Sequence, residues 1–293
     1  MALLFAPTLA AQPPQVKPTV RHVFVLHDGF HTILSYPRPD WAAQDMKQFL
    51  IHHGVNEADI ILMPCPFQPA SFQDMFPKAG FEYFLNCFNP ASKSAQKSYV
   101  QLDSALKDRG VRPTDKLIWI GHSAGGQIGM TMAHLGGNLK KYPELARVAG
   151  PHPFDMVVTL GSPLGLRNDL VPAGVKRRHY YSPADRVVHL AWVAGNLALP
   201  LLGYKDYKIE LVPVPSRLSP DTVVRIFHGI EHPSFPKDEH VMMRILNEYR
   251  DDYQPAWRGA AISPTFGPGL AGLMCRALEA DCRYSIEDPL ANE

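Results

Sequence analysis

Short apolar runs, most closed by a glycine or proline, alternate along the chain with segments whose apolar residues recur at helical spacing. "RHVFVLHDGFH" opens the series as a strand that runs into a glycine-containing turn. In "PDWAAQDMKQFLIHHG", Trp41, Met46, Phe49 and Leu50 recur near a helical period, and Gly54 marks the stop. "ADIILMPCPF" reads as a second strand, halted by Pro64 and Pro66. The amphipathic helix "SAQKSYVQLDSALKDRG" follows, with Tyr99, Leu102 and Leu106 on one face and Gly110 at its end. "KLIWIG", "FDMVVTLGSP", "VKRRHYYS" and "TVVRIFHG" are four more strands, and "KDEHVMMRILNEYR" is a closing helix. Continuous apolar strands between helices predict a parallel sheet covered on both faces. The fold class expected is α/β, a doubly wound, mostly parallel sheet with helices on both faces.

Composition changes this picture little. The chain of 293 residues carries 29 Lys and Arg against 28 Asp and Glu, a formal net charge of +1, with no long run of one sign. That balance offers no electrostatic footprint for nucleic acid. No segment reaches the ~20 apolar residues that span a bilayer, so no integral membrane segment is expected. The 28 prolines are about twice the average usage and point to rigid loops. The four cysteines show no CxxC spacing. Cys275 with Cys282, and Cys65 with Cys87, would suit disulfides in an exported protein, whereas free thiols suit a cytoplasmic one. The first residues, "MALLFAPTLAAQPPQ", resemble the end of a secretory signal without its positive region, or else an apolar tail. Localisation is therefore secreted or periplasmic on one reading and cytoplasmic on the other.

In such a sheet the ligand site lies beyond the carboxyl ends of the strands. The chemistry-bearing residues gather there. "GHSAGG", at the junction of a buried strand and a helix, matches G-x-S-x-G over Gly121, His122, Ser123, Ala124 and Gly125. In that context it reads as a nucleophile elbow, a sharp turn that exposes the serine hydroxyl. A serine nucleophile needs a base oriented by an acid, in the chain order Ser, Asp or Glu, His. Asp185, just after the "VKRRHYYS" strand, is the candidate acid. His232, in the loop between the last strand and the closing helix, is the candidate base, with His240 at the helix start as the alternative. His228 is expected within the last strand. For the oxyanion hole the candidate donors are the N–H of Ala124 and that of Phe30, with Gly29 as alternative, in the loop after the first strand. His27 and His31 are four apart but sit in a strand–loop segment, and no HExxH occurs, so no metal is expected.

"GHSAGG", the "LHDGFH" loop, "VVTLGSPLG", "SPADRVV" and "GIEH" before an apolar helix resemble, in order over about residues 20–250, the α/β-hydrolase fold family. The likeness is greatest to its bacterial lipase and esterase branch. The resemblance implies a Ser123–Asp185–His232 triad that cleaves carboxylic esters through an acyl-enzyme, without a cofactor. It departs from the family at Asp28, which separates His27 from Gly29 where lipases commonly place His and Gly together. An amidase, thioesterase or acyltransferase could use the same triad, and a non-catalytic binding protein could share the fold. The partner expected is a small-molecule or lipid ester.

The resulting organisation is a tail at 1–20, a catalytic domain at 21–250 and a C-terminal extension at 251–293. "LAWVAGNLALPLLGY", Leu190 to Tyr204, reads as a helix buried on the sheet rather than a lid, since apolar helical faces usually belong to the core.

Overall fold

A computed structural model describes residues 20–29, 41–64, 89–162, 164–165, 171–193, 196, 209–210, 221–253 and 284–287. Strands form where the apolar runs stand. They are β1 (His22–His27), β2 (Ile60–Met63), β3 (Lys116–His122) and β4 (Met156–Leu160), then β6 (Lys176–Tyr181) and β8 (Thr222–Phe227). A separate antiparallel ribbon joins β5 (Leu164–Gly165) to β7 (Ile209–Glu210). The main sheet has the order β2-β1-β3-β4-β6-β8-β9, where β9 (Tyr284–Glu287) is contributed by the C-terminal segment. All of its pairings are parallel.

The helices that connect these strands are α1 (Trp41–His52), α2 (Lys93–Asp108), α3 (Ala124–Gly137), α4 (Arg186–Val193) and α5 (Glu239–Tyr253). They cover both faces, and β1 shows how. Its alternate residues Val23 and Val25 pack with Tyr99, Leu102 and Leu106 of α2 and with Ile128 and Leu135 of α3. The intervening Phe24 and Leu26 pack with Met46 and Leu50 of α1 and with Ile245 and Leu246 of α5. Burial of each such side chain contributes roughly 1.5–3 kcal/mol, which is why the central strands β1 and β4 are apolar on both faces, whereas β6 carries Arg177, Arg178 and His179. The two-sided cover is what defines a doubly wound α/β sheet.

Strand order also locates the site. From β1 the chain moves outward to β2 and then returns to β3 on the other side of β1. Chain direction therefore diverges between β1 and β3, and at such a switch point the ligand site of an open α/β sheet lies at the carboxyl ends of the strands. Local details fix the helices that flank it. Ser92 caps α2 by accepting the Ala95 N–H at 3.1 Å.

Two expectations need correction. Leu190–Tyr204 does not begin as a helix buried on the sheet. Through Val193 it belongs to α4, where Val188 is buried but Leu190 is 69% exposed and Trp192 39%. The apolar pattern was read as core because a single sequence does not say which neighbour, if any, covers a helix. Residues 194–195 and 197–204 lie outside the described set. His228 also falls one residue past β8 and is exposed, because the ladder with β6 ends at Ile226. The four cysteines lie outside the described residues, so the pairing expectation has no structural counterpart.

Candidate active site

Ser123 stands at the junction of β3 and α3 with φ 53° and ψ −131°. Among the described residues it is the one non-glycine with positive φ. Such a conformation costs on the order of 1–3 kcal/mol and persists only where the surroundings hold it. They do so here through the backbone. The Ser123 N–H donates to Leu160 O at the end of β4 (2.8 Å), and its carbonyl accepts the Gly126 N–H (3.1 Å). Its side chain caps nothing, although it occupies the N-cap position of α3, so the hydroxyl is left for other chemistry.

The turn can be this tight because its flanking residues lack side chains. A Cβ on Gly121 would lie 2.5 Å from Gly126 N, and closer still to the carbonyl of Gly125. One on Gly125 would lie 2.5 Å from Asp28 O and 2.6 Å from His27 O. The loop after β1 thus rests on the first turn of α3. Gly29 passes against the serine itself, since a Cβ there would lie 2.8 Å from Ser123 Oγ and 2.9 Å from His122 O. At the start of α3 the Ala124 N–H has no intrahelical acceptor and adds to the positive end of the helix. Phe30, the other expected donor, lies outside the described residues, as does His31.

Asp28, the departure from the family pattern, has a structural task. Its Oδ1 accepts the Ala43 N–H in the first turn of α1 at 2.6 Å, so the carboxylate ties the loop after β1 to that helix. Asp-Gly hints at a turn, but no local signal reveals a partner 15 residues away. His27 is buried, stacks on Trp119 with ring centroids 5.4 Å apart, and hydrogen-bonds the Asp28 carbonyl through Nδ1. Burial pushes its pKa down to about 4, so the ring is neutral at physiological pH.

The other half of the site comes from β6 and β8. Asp185 follows β6, is fully buried, and uses Oδ1 to accept the Val188 N–H (3.0 Å) at the start of α4. Its Oδ2 accepts from His232 Nδ1 at 2.8 Å. His232 lies in a short 3-10 turn, His232–Ser234, closed by the Ser234 N–H on Glu231 O and anchored by the buried Phe235. With Nδ1 donating to the carboxylate, Nε2 is the nitrogen free to accept a proton. His240 is exposed in the first turn of α5, where its ring meets the edge of Phe227. No hydrogen bond joins it to Asp185 among the described residues.

The serine and the histidine meet through a neighbour. His122 Nε2 hydrogen-bonds the main-chain oxygen of His232 at 2.9 Å, and their rings stand 4.6 Å apart. No hydrogen bond joins Ser123 Oγ directly to His232 among the described residues. Such contacts commonly tighten only when substrate is bound. Among the described residues no group of His, Cys, Asp and Glu has metal-binding geometry, and no helix is long and apolar enough to cross a membrane.

No family model matches the chain, and no curated protein does. Similar solved structures include esterase PE8, 14% identical with TM-score 0.44 over 79% of this chain and 93% of that one. MenH from S. aureus is 10% identical with TM-score 0.42 over 80% of this chain and 95% of that one. A dienelactone hydrolase from Anabaena variabilis is 14% identical with TM-score 0.37 over 79% and 85%. These likenesses are coarse, and the fold rests on the strand order and the two-sided helix cover described above.

Proposed function

We propose that this protein is a serine hydrolase of the lipase and esterase type, cleaving carboxylic esters through an acyl-enzyme. The observation that carries the reading is the hydrogen bond from His232 to the buried Asp185, 2.8 Å long, assembled beside a serine held at φ 53°. Ser123 Oγ attacks the acyl carbonyl while His232 Nε2 takes its proton. Asp185 keeps the imidazole in the tautomer with its proton on Nδ1 and stabilises the cation that forms. The tetrahedral oxyanion faces the Ala124 N–H and the backbone of the Gly29 loop, at the positive end of α3. His232 then protonates the leaving alcohol, activates water, and returns the proton to Ser123 as the acid departs.

The apolar rim supports a hydrophobic ester as substrate. α4 starts one residue after Asp185 and touches the turn that carries His232. On it Val187, Leu190, Trp192 and Val193 are exposed, the main cluster of exposed large apolar side chains among the described residues. Exposed apolar side chains on the helix that touches the His232 turn are the feature that supports an apolar acyl contact.

A fluorophosphonate probe tests the reading, because it reacts preferentially with activated serines. Labelling of wild type and none of Ser123→Ala supports it. An unlabelled wild type, or equal labelling of both, replaces it with a non-catalytic binding role. A series of p-nitrophenyl esters of rising chain length then ranks acyl groups, and hydrolysis that improves with length supports the apolar rim as the acyl contact.

A further inference from the structure

The proposed nucleophile and base sit on different elements, the β3–α3 turn and the β8–α5 loop. Rates depend on their separation to a fraction of an ångström, since a 1 Å misplacement can cost about 10²-fold. Asp185 fixes only the His232 ring, through Nδ1. The turn that carries the ring is closed on itself and anchored by Phe235, and a further contact ties it to the strand that carries the serine.

His122 is placed for that. It is the last residue of β3, immediately before Ser123, and is 3% exposed. Its Nε2 lies 2.9 Å from the main-chain oxygen of His232. A carbonyl oxygen only accepts, so Nε2 carries the proton and donates. The ring is wedged between the edge of Trp41, centroids 5.5 Å apart, and the ring of His232, 4.6 Å apart and tilted by 43°. Burial of the ring and aromatic contacts restrict its rotation, so the donor is aimed rather than mobile. The contact joins the residue beside the nucleophile to the main chain of the base, 110 positions along the sequence.

We propose that His122 is a positioning residue: its Nε2–H holds the His232 carbonyl, so that the base and Ser123 keep one spacing as the loops around them move. The proposal rests on the Ser123–His232–Asp185 reading above. Asp185 sets the orientation of the imidazole, and His122 sets its distance from the serine. A core histidine that merely satisfied its own nitrogens would have no such effect on rate.

The test uses the full chain with a p-nitrophenyl ester and a fluorophosphonate probe. Two substitutions of His122 are compared at matched Tm: His122→Gln, whose amide N–H can reach the same oxygen, and His122→Phe, which keeps a ring and removes the donor. The expected result is a kcat about 10–100-fold lower for His122→Phe with KM within about twofold, and recovery by His122→Gln to within about fivefold of wild type. In a His232→Ala background the same two substitutions should leave the residual labelling rate unchanged, because the group they position is gone. Equal kcat for the Gln and Phe variants overturns the proposal, as does a further loss of labelling in the His232→Ala background. Ser123→Ala and Asp185→Ala run beside them separate the two readings. If those lose labelling while His122→Phe keeps wild-type kcat, positioning fails alone; if they keep labelling, the triad fails and positioning with it.

Discussion

Gly29→Ala places a methyl group where the loop after β1 crosses the serine. The added Cβ would lie 2.8 Å from Ser123 Oγ and 2.9 Å from His122 O, against 3.4–4 Å for ordinary contact. The hydroxyl can rotate aside, but the Ser123 Cβ, nearer still to the added methyl, and the His122 carbonyl of β3 cannot. The loop must therefore lift by more than half an ångström and carry its N–H groups away from the oxyanion. Loss of one aimed donor costs about 10²–10³ in kcat. The strain costs roughly 1–3 kcal/mol of stability, and each kcal/mol moves Tm by about 2–4 °C in a domain of this size. The expected signature is a large fall in ester hydrolysis with a modest fall in Tm. Gly110→Ala is the comparison, because its Cβ meets nothing within 4 Å and only its φ of +61° is strained. That variant should lose about 1–2 kcal/mol of stability and no activity. If Gly29→Ala hydrolyses esters as fast as wild type, the loop does not form part of the oxyanion site.

Three further outcomes follow from the same geometry. Asp28→Ala removes the acceptor of the Ala43 N–H and should cost about 1–2 kcal/mol in urea unfolding, with reduced activity as the loop loosens; unchanged stability would refute the capping role. Gly161→Ala introduces a Cβ 2.6 Å from Asp185 Oδ2 at a backbone φ of +51°, and should slow hydrolysis by displacing the acid, whereas Gly174→Ala, with open space around it, should not. The third concerns pH. Burial pushes His27 down to about 4, and burial, with Arg177 and Arg178 nearby, pushes His179 to about 3, from an ordinary 6.5. Between those values and 6.5 the unfolded chain binds more protons than the folded one, so stability falls as pH falls, by about 1 kcal/mol per pH unit for each ring averaged over pH 7 to 5, approaching about 1.4 below that. Urea unfolding between pH 7 and 5 should show that slope, and His179→Asn should reduce it; a flat profile would refute it.

The fold was legible chiefly in the central strands, because a parallel sheet buried on both faces leaves them as unbroken apolar runs. "HVFVLH" and "MVVTL" could be little else between helices. The candidate site was legible because residues such as Ser123, Asp185 and His232 follow strand ends. What stayed hidden depends on contacts across the chain. Nothing local to Asp28 names Ala43, and nothing local to His122 names the carbonyl of His232. The exposed face of α4 was misread for a related reason: Leu190 and Trp192 have core-like side chains, and only tertiary structure tells which face is covered.

The elbow joins several of the elements around it. The loop after β1 rests on Gly125 and Ser123, β4 accepts the Ser123 N–H through Leu160, and His122 hydrogen-bonds the His232 carbonyl of the loop after β8. Residues 121–126 thus contact loops from three other strand ends, while a positive φ at Ser123 strains their own backbone. These facts belong together. A strained turn is stable only if its neighbours lose more by letting it relax, and here each neighbouring loop packs on the strained conformation itself. If Ser123 moved to an ordinary φ, the glycine contacts would open and the His232 carbonyl would lose its donor. The strain therefore need not weaken the site. It makes the placement of the Ser123 hydroxyl, the Gly29 loop and the His232 backbone depend on one conformation.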